Sequence, residues 1–160
     1  MKLGLAIREL HNSENSLARA LRAAADRHQA NHEIHHVGRD LARWSTEHVE
    51  RLARTGHRYG LDLNADAAQD LGLLTTARRK LGELAGRRPE SGLLLLADLR
   101  RLHRKAAGVS LDWELLAQGA QAVKDAELLA LAQDCHPQTL RQLRWTNAML
   151  KTLSPQILAS

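Results

Sequence analysis

The sequence predicts an all-α fold, and three observations carry that prediction. Aromatic residues make up only 2% of the chain and phenylalanine is absent, so Leu and Ala must supply the 44% hydrophobic content. Such residues suit helix-on-helix packing better than a sheet. Apolar positions recur in steps of three and four along most of the chain, the period of an amphipathic helix. Prolines number only three, and β-branched residues are few. At 160 residues, one helical-bundle domain spanning 1–160 is expected.

The first helix is expected over about 3–29. Leu3, Ile7, Leu10, Glu14, Leu17, Leu21, Ala24 and His28 form one seam, and two of its members are polar. A second helix is expected over 31–59, with Ile34, Val37, Leu41, Trp44, His48, Leu52 and Tyr59 inward. Continuing the first seam without a break would instead turn Asn31, His35, Gly38, Ala42 and Ser45 inward. The slip of one residue places a break near 29–31, with Asn31 as N-cap. Gly60 ends this helix. Residues 61–89 form a long connection, and Ala67, Leu71, Leu74, Leu81 and Leu84 mark a crossover helix over 66–84. At 1.5 Å per residue it would be about 27 Å long.

A further helix over 90–107 carries Leu95, Leu96, Leu99, Leu102 and Ala106, with His103 beside them. Gly108 reads as its stop and Ser110 as the next N-cap. The following helix, 110–134, is expected to bury Leu111, Leu115, Gly119, Ala122, Ala126 and Leu129, with Gln118 on the same stripe. A second apolar stripe at Trp113, Ala117, Ala120, Leu128 and Leu131 suggests a central position or a dimer interface. Pro137 opens a last helix over 137–153 with Leu140, Leu143, Met149, Leu150 and Leu153.

Several classes are set aside. The amphipathic start lacks an apolar leader, and the longest apolar run, Leu93–Ala97, cannot span a bilayer. The lone Cys135 forms no internal disulfide, so a cytoplasmic protein without membrane association is expected. No nucleophile constellation or phosphate loop is evident; Cys135 and His136 are neighbours in sequence only.

The connections run short, long, short, the order of a four-helix bundle with one crossover. In this the chain resembles the ferritin-like superfamily, over its first four bundle helices, with the 137–153 helix as an extra C-terminal element. The resemblance implies an antiparallel bundle with a long helical crossover between its second and third helices. Members that bind two metal ions use a Glu on each of two helices and Glu-x-x-His on the other two. Glu14 matches the first. Glu33 to His36 matches the second in spelling, but at ~100° per residue His36 faces outward. No Glu-x-x-His falls in the 110–134 helix, so no oxidase or iron-storage activity is carried over.

Two polar groupings remain as candidate sites. A hairpin turning near residue 30 sets Glu14 opposite His48, with His103 and Gln118 within reach. Glu14, His48 and His103 could ligate one zinc or iron ion; the competing and preferred reading is a buried network that fixes helix register. His28, His32 and His36, with His35 and Glu33, form the second grouping. His32 and His36 lie one turn apart and could chelate a metal; a solvated turn and a pH-responsive surface are the other readings. The basic runs Arg78-Arg79-Lys80, Arg87-Arg88 and Arg100–Lys105 suggest either a solvated face or weak phosphate contact, and the interspersed acids favour the first. The expected function is a non-catalytic scaffold or interaction protein, a homodimer by its second stripe. The alternatives are a metal-binding, redox or stress-related protein and a weak nucleic-acid-associated one. The sequence does not identify a small-molecule substrate.

Overall fold

The computed structural model describes residues 2–65 and 90–160, and these are all-helical, without a strand among them. Among the described residues four long helices carry the fold: α1 (Lys2–Arg27), α2 (His32–Gly56), α3 (Ser91–Ala122) and α4 (Ala126–Leu158). A single 3-10 turn, His57–Tyr59, extends α2. The expected crossover helix over 66–84 lies outside the described residues. No helix among the described residues is long and apolar enough to cross a membrane.

Every member of the expected α1 seam is buried, Glu14 and His28 included. The turn to α2 is the one the phase slip requires. The Asn31 side chain accepts a hydrogen bond from the Ile34 amide at 3.2 Å, satisfying one of the free donors at a helix start. On α2 the buried stripe is wider than expected. Gly38, Ala42 and Ser45 are buried with Ile34, Leu41, His48 and Leu52, while Val37 and Trp44 are half-buried. Small residues make this possible, because a Cβ on Gly38 would lie 3.2 Å from that of Ala25. Gly60, at φ +71°, closes the 3-10 turn in the left-handed conformation that glycine adopts without strain.

The C-terminal half differs from expectation in its punctuation. The helices expected over 90–107, 110–134 and 137–153 are two, not three. Gly108 lies inside α3 and its missing side chain faces open space, where glycine costs only about 1 kcal/mol against alanine. Ser110 is a buried mid-helix residue rather than a cap. Pro137 and Pro155 lie within α4, both on its exposed side. There, the carbonyl a proline leaves unpaired can be hydrated. No separate C-terminal helix exists, because the expected one is the second half of α4.

The real break is Val123–Asp125. Lys124 takes a left-handed φ of 59°; its amide bonds the Gln121 carbonyl and that of Asp125 bonds the Ala120 carbonyl. This is the Schellman arrangement, built here on lysine instead of the usual glycine. Asp125 then caps α4, accepting from the Leu128 amide at 3.0 Å.

Removing the false break restores one continuous seam on α3. Leu95, Leu99, Leu102, Ala106, Val109, Trp113, Leu116 and Ala120 are all buried. The stripe expected inward after Ser110 faces out instead: Leu111 is 61% exposed and Leu115 69%. On α4 the seam passes from Leu128, Leu131, Ala132 and Cys135 to the polar Thr139, Gln142 and Thr146, then to Met149.

Side-chain contacts fix how the helices meet. Between α1 and α2, the Ala25 carbonyl meets His35, Arg22 meets Thr46 and Glu14 meets His48. From α1 to α3 the pairs are Arg27–Asp98, Ser16–Lys105 and Ser13–Asp112. His103–Thr146 and Ser110–His136 join α3 to α4. Ser45–Gln142, Arg51–Asp134 and Arg58–Asp125 join α2 to α4. One large apolar cluster fills most of the bundle, and a second (Ile34, Leu95, Leu99 and Met149) fills the end near the α1–α2 turn.

Candidate functional site

The seam places a carboxylate in the bundle interior, and three helices supply its surroundings. Glu14 of α1 is 0% exposed and His48 of α2 is 1% exposed. His48 Nδ1 lies 2.7 Å from Glu14 Oε1, and Trp113 Nε1 of α3 donates to the same oxygen at 2.8 Å. His48 Nε2 lies 2.6 Å from Gln138 Oε1 of α4. Both imidazole nitrogens therefore face oxygen acceptors. A neutral imidazole has one N–H, so this arrangement is fully satisfied only by the doubly protonated cation. The Trp113 ring also stands edge-on to His48, with centroids 5.7 Å apart.

The electrostatics agree with that geometry. Burial opposes charge on His48, but its contact with the Glu14 carboxylate and its place beside Cys135 outweigh it and raise the pKa to about 10. An unpaired buried carboxylate would be costly, and the imidazolium removes that cost. Glu14 Oε2 has no hydrogen-bond partner among the described residues, nor do Thr139 Oγ1 and Gln142 Oε1.

The other expected ligands are not brought to this centre. His103 is half-buried and its Nδ1 meets Thr146 Oγ1 at 2.9 Å. Gln118 is exposed, because the α3 seam runs through Trp113 and Leu116; Gln138 fills the place expected for it. The histidine-rich turn also divides. His28 is buried and its Nε2 lies 2.7 Å from Asp98 Oδ2. His35 Nδ1 lies 2.9 Å from the Ala25 carbonyl near the end of α1. His32 and His36 are exposed and stacked, with ring centroids 6.1 Å apart. Among the described residues no three His, Cys, Asp or Glu side chains are grouped to hold a metal ion.

A second buried carboxylate escapes the sequence reading altogether. Asp98 of α3 accepts from Arg27 at 2.8 Å and 2.6 Å, besides meeting His28. Burial would raise its pKa, but hydrogen bonds from His28 and Arg27 and their charges hold it below the ordinary carboxylate range. Its signal was present, since residue 98 lies between Leu95, Leu99 and Leu102 on the inward side of the helix. Trp113 and Gln138 were missed as partners of the central pair because their positions depend on where α3 ends.

At the opposite end, Tyr59 and Arg58 both donate to the Asp125 carboxylate that caps α4. Burial and the Asp125 carboxylate push the Tyr59 phenol up to about 12. Chemically, the central group can hold one proton tightly between Glu14 and His48. Comparison with protein-family models, with curated proteins and with solved structures finds no match to this chain.

Proposed function

We propose that this chain is a non-catalytic helical scaffold, an antiparallel four-helix bundle of ferritin-like layout that acts by self-association into a homodimer. The observation that carries the reading is the outward pair Leu111 and Leu115, 61% and 69% exposed. Leu115 also lines a surface groove with Ala6, Glu9, Asn12, Ser13 and Asp112 between α1 and α3. Leu5, 63% exposed, is the residue before Ala6. Scattered exposed leucines are ordinary, but two on successive turns of one helix beside such a groove form a surface that a partner would cover. The interior supports the same reading, because its carboxylates are held by the protein's own cations and donors.

Sedimentation velocity tests this. The wild-type chain is expected to run as a dimer at about 10 μM, and the Leu111→Ser/Leu115→Ser variant as a monomer with unchanged helicity. A wild-type monomer at concentrations up to about 100 μM would defeat the proposal.

A further inference from the structure

The joining of the C-terminal segments into α3 and α4 creates a surface that no single run of sequence displays. Residues 99–111 and 135–160 contain Arg100, Arg101, Arg104, Lys105, Arg141, Arg144 and Lys151, and not one Asp or Glu. These seven cations exceed the whole chain's net charge of +5, so the remainder is net acidic. The charge is therefore segregated rather than spread over the molecule.

The helices bring these residues together. His103 meets Thr146, Ser110 meets His136, and Gly92 lies against Ile157. Residues 100–104 of α3 therefore lie beside residues 144–151 of α4. Arg100 and Arg104 are one turn apart on one ridge, and Arg144 and Lys151 two turns apart on the next, with Arg101 and Arg141 at the margins. All six are exposed. At 1.5 Å per residue the rows extend about 6 Å and 10 Å, on helices whose axes pack roughly 8–10 Å apart.

None of the six forms an ion pair among the described residues, and the nearest carboxylates are engaged elsewhere. Asp98 is held by Arg27 and His28, Asp112 accepts from Ser13, and Asp134 pairs with Arg51. Five of the six are arginines, whose planar fork matches phosphate oxygens. The large exposed apolar residues nearest along α3, Leu93 and Leu111, are each two turns from an arginine. The patch itself is polar, which suits a phosphodiester backbone better than insertion into a lipid surface. No aromatic ring is exposed within it for stacking on single-stranded bases.

We infer that the outer face of α3 and α4, through Arg100, Arg104, Arg144 and Lys151, binds the phosphate backbone of duplex nucleic acid without reading its sequence. The inference goes beyond the dimer reading and does not depend on it, because a monomer carries the same face.

Fluorescence anisotropy of a labelled 20-base-pair DNA duplex of mixed sequence, titrated with the full chain, tests it. Binding is expected with a dissociation constant of about 1–10 μM at about 20 mM salt. Four phosphate contacts give a slope of log K against log salt of about −3.6. The Arg104→Glu/Arg144→Glu variant should bind at least ~10-fold more weakly with a shallower slope, while Arg43→Glu on α2 should stay within about twofold. Arg100→Gln/Lys151→Gln provides a milder pair should charge reversal disturb folding, which circular dichroism reports. Three results overturn the inference: no binding at ~100 μM protein, equal binding by folded variants of both pairs, or sedimentation with phosphatidylserine-containing vesicles in the absence of duplex binding.

Discussion

Two buried carboxylates hold this bundle together by different means. Glu14 lies mid-bundle and meets a histidine that is itself enclosed, with a tryptophan N–H completing the contact. Asp98 lies toward the α1–α2 turn and meets both a buried histidine and Arg27, whose side chain is 43% exposed. The first carboxylate depends on a group that must take up a proton to become a cation. The second has a partner that is always charged and keeps one side in water. Removing one member of a fully enclosed pair strands a charge with no route to solvent, whereas a half-exposed arginine can be rehydrated. The central pair is therefore the more consequential and the more dependent on pH.

The largest expected effect follows from that asymmetry. His48→Leu should destabilise the protein by about 3–5 kcal/mol in urea denaturation. Glu14→Met combined with His48→Leu should recover most of the loss, because the paired replacement leaves no stranded charge. A single variant costing under about 1 kcal/mol would erase the distinction between the two regions.

The pH dependence comes next and is of comparable size. The folded pKa of His48 is raised to about 10, from about 6.5 in the unfolded chain. Its contribution is thus fully present below pH ~6.5 and is lost as pH rises through about 10. The loss is on the order of a few kcal/mol. Stability of the wild type should fall across this window, and that of the double variant should not. Asp98 behaves in the opposite sense: its folded pKa is depressed, so its contribution is present above pH ~4 and is lost as pH falls further.

Smaller changes sharpen the comparison. Trp113→Phe keeps most of the ring and removes the N–H; a hydrogen bond to a charged group predicts a loss of about 1.5–3 kcal/mol. Asp98→Asn should cost less, about 1–2 kcal/mol, since Arg27 reaches water. If the order of these two in urea melts is reversed, enclosure is not what separates the clusters. The smallest effect is a gain. Lys124→Gly, far from both clusters, relieves a left-handed lysine and should stabilise by roughly 0.5–1 kcal/mol.

The N-terminal half was legible because its signals are local. The α1 seam and the Asn31 cap follow from spacing and from one side chain bonding three residues on. The C-terminal half misled because its strongest local marks are false. Gly108 and Pro137 sit on solvent-facing sides, where a helix tolerates them, while the true turn carries a lysine that breaks no rule visible in sequence. That one misplacement turned Leu111 and Leu115 inward and Trp113 away from Glu14. It also divided α4 into two helices, hiding the alignment of Arg144 and Lys151 with Arg100 and Arg104. The histidine-rich turn failed for another reason. His28, His32 and His36 are close in sequence, but Asp98, 70 residues away, draws His28 into the interior.

Sequence by itself determined the helical character, the α1 seam and the presence of Glu14 and His48 on facing seams, because periodicity and capping are properties of neighbours along the chain. Tertiary structure decided which partners each polar group takes. It assigned Gln138 and Trp113 to the central pair, Thr146 to His103, and Asp98 to His28. Those choices depend on the axial register between helices, of which the α3–α4 turn sets the one that brings His103 to Thr146. That turn rests on one residue held in an unfavourable conformation by the backbone hydrogen bonds around it.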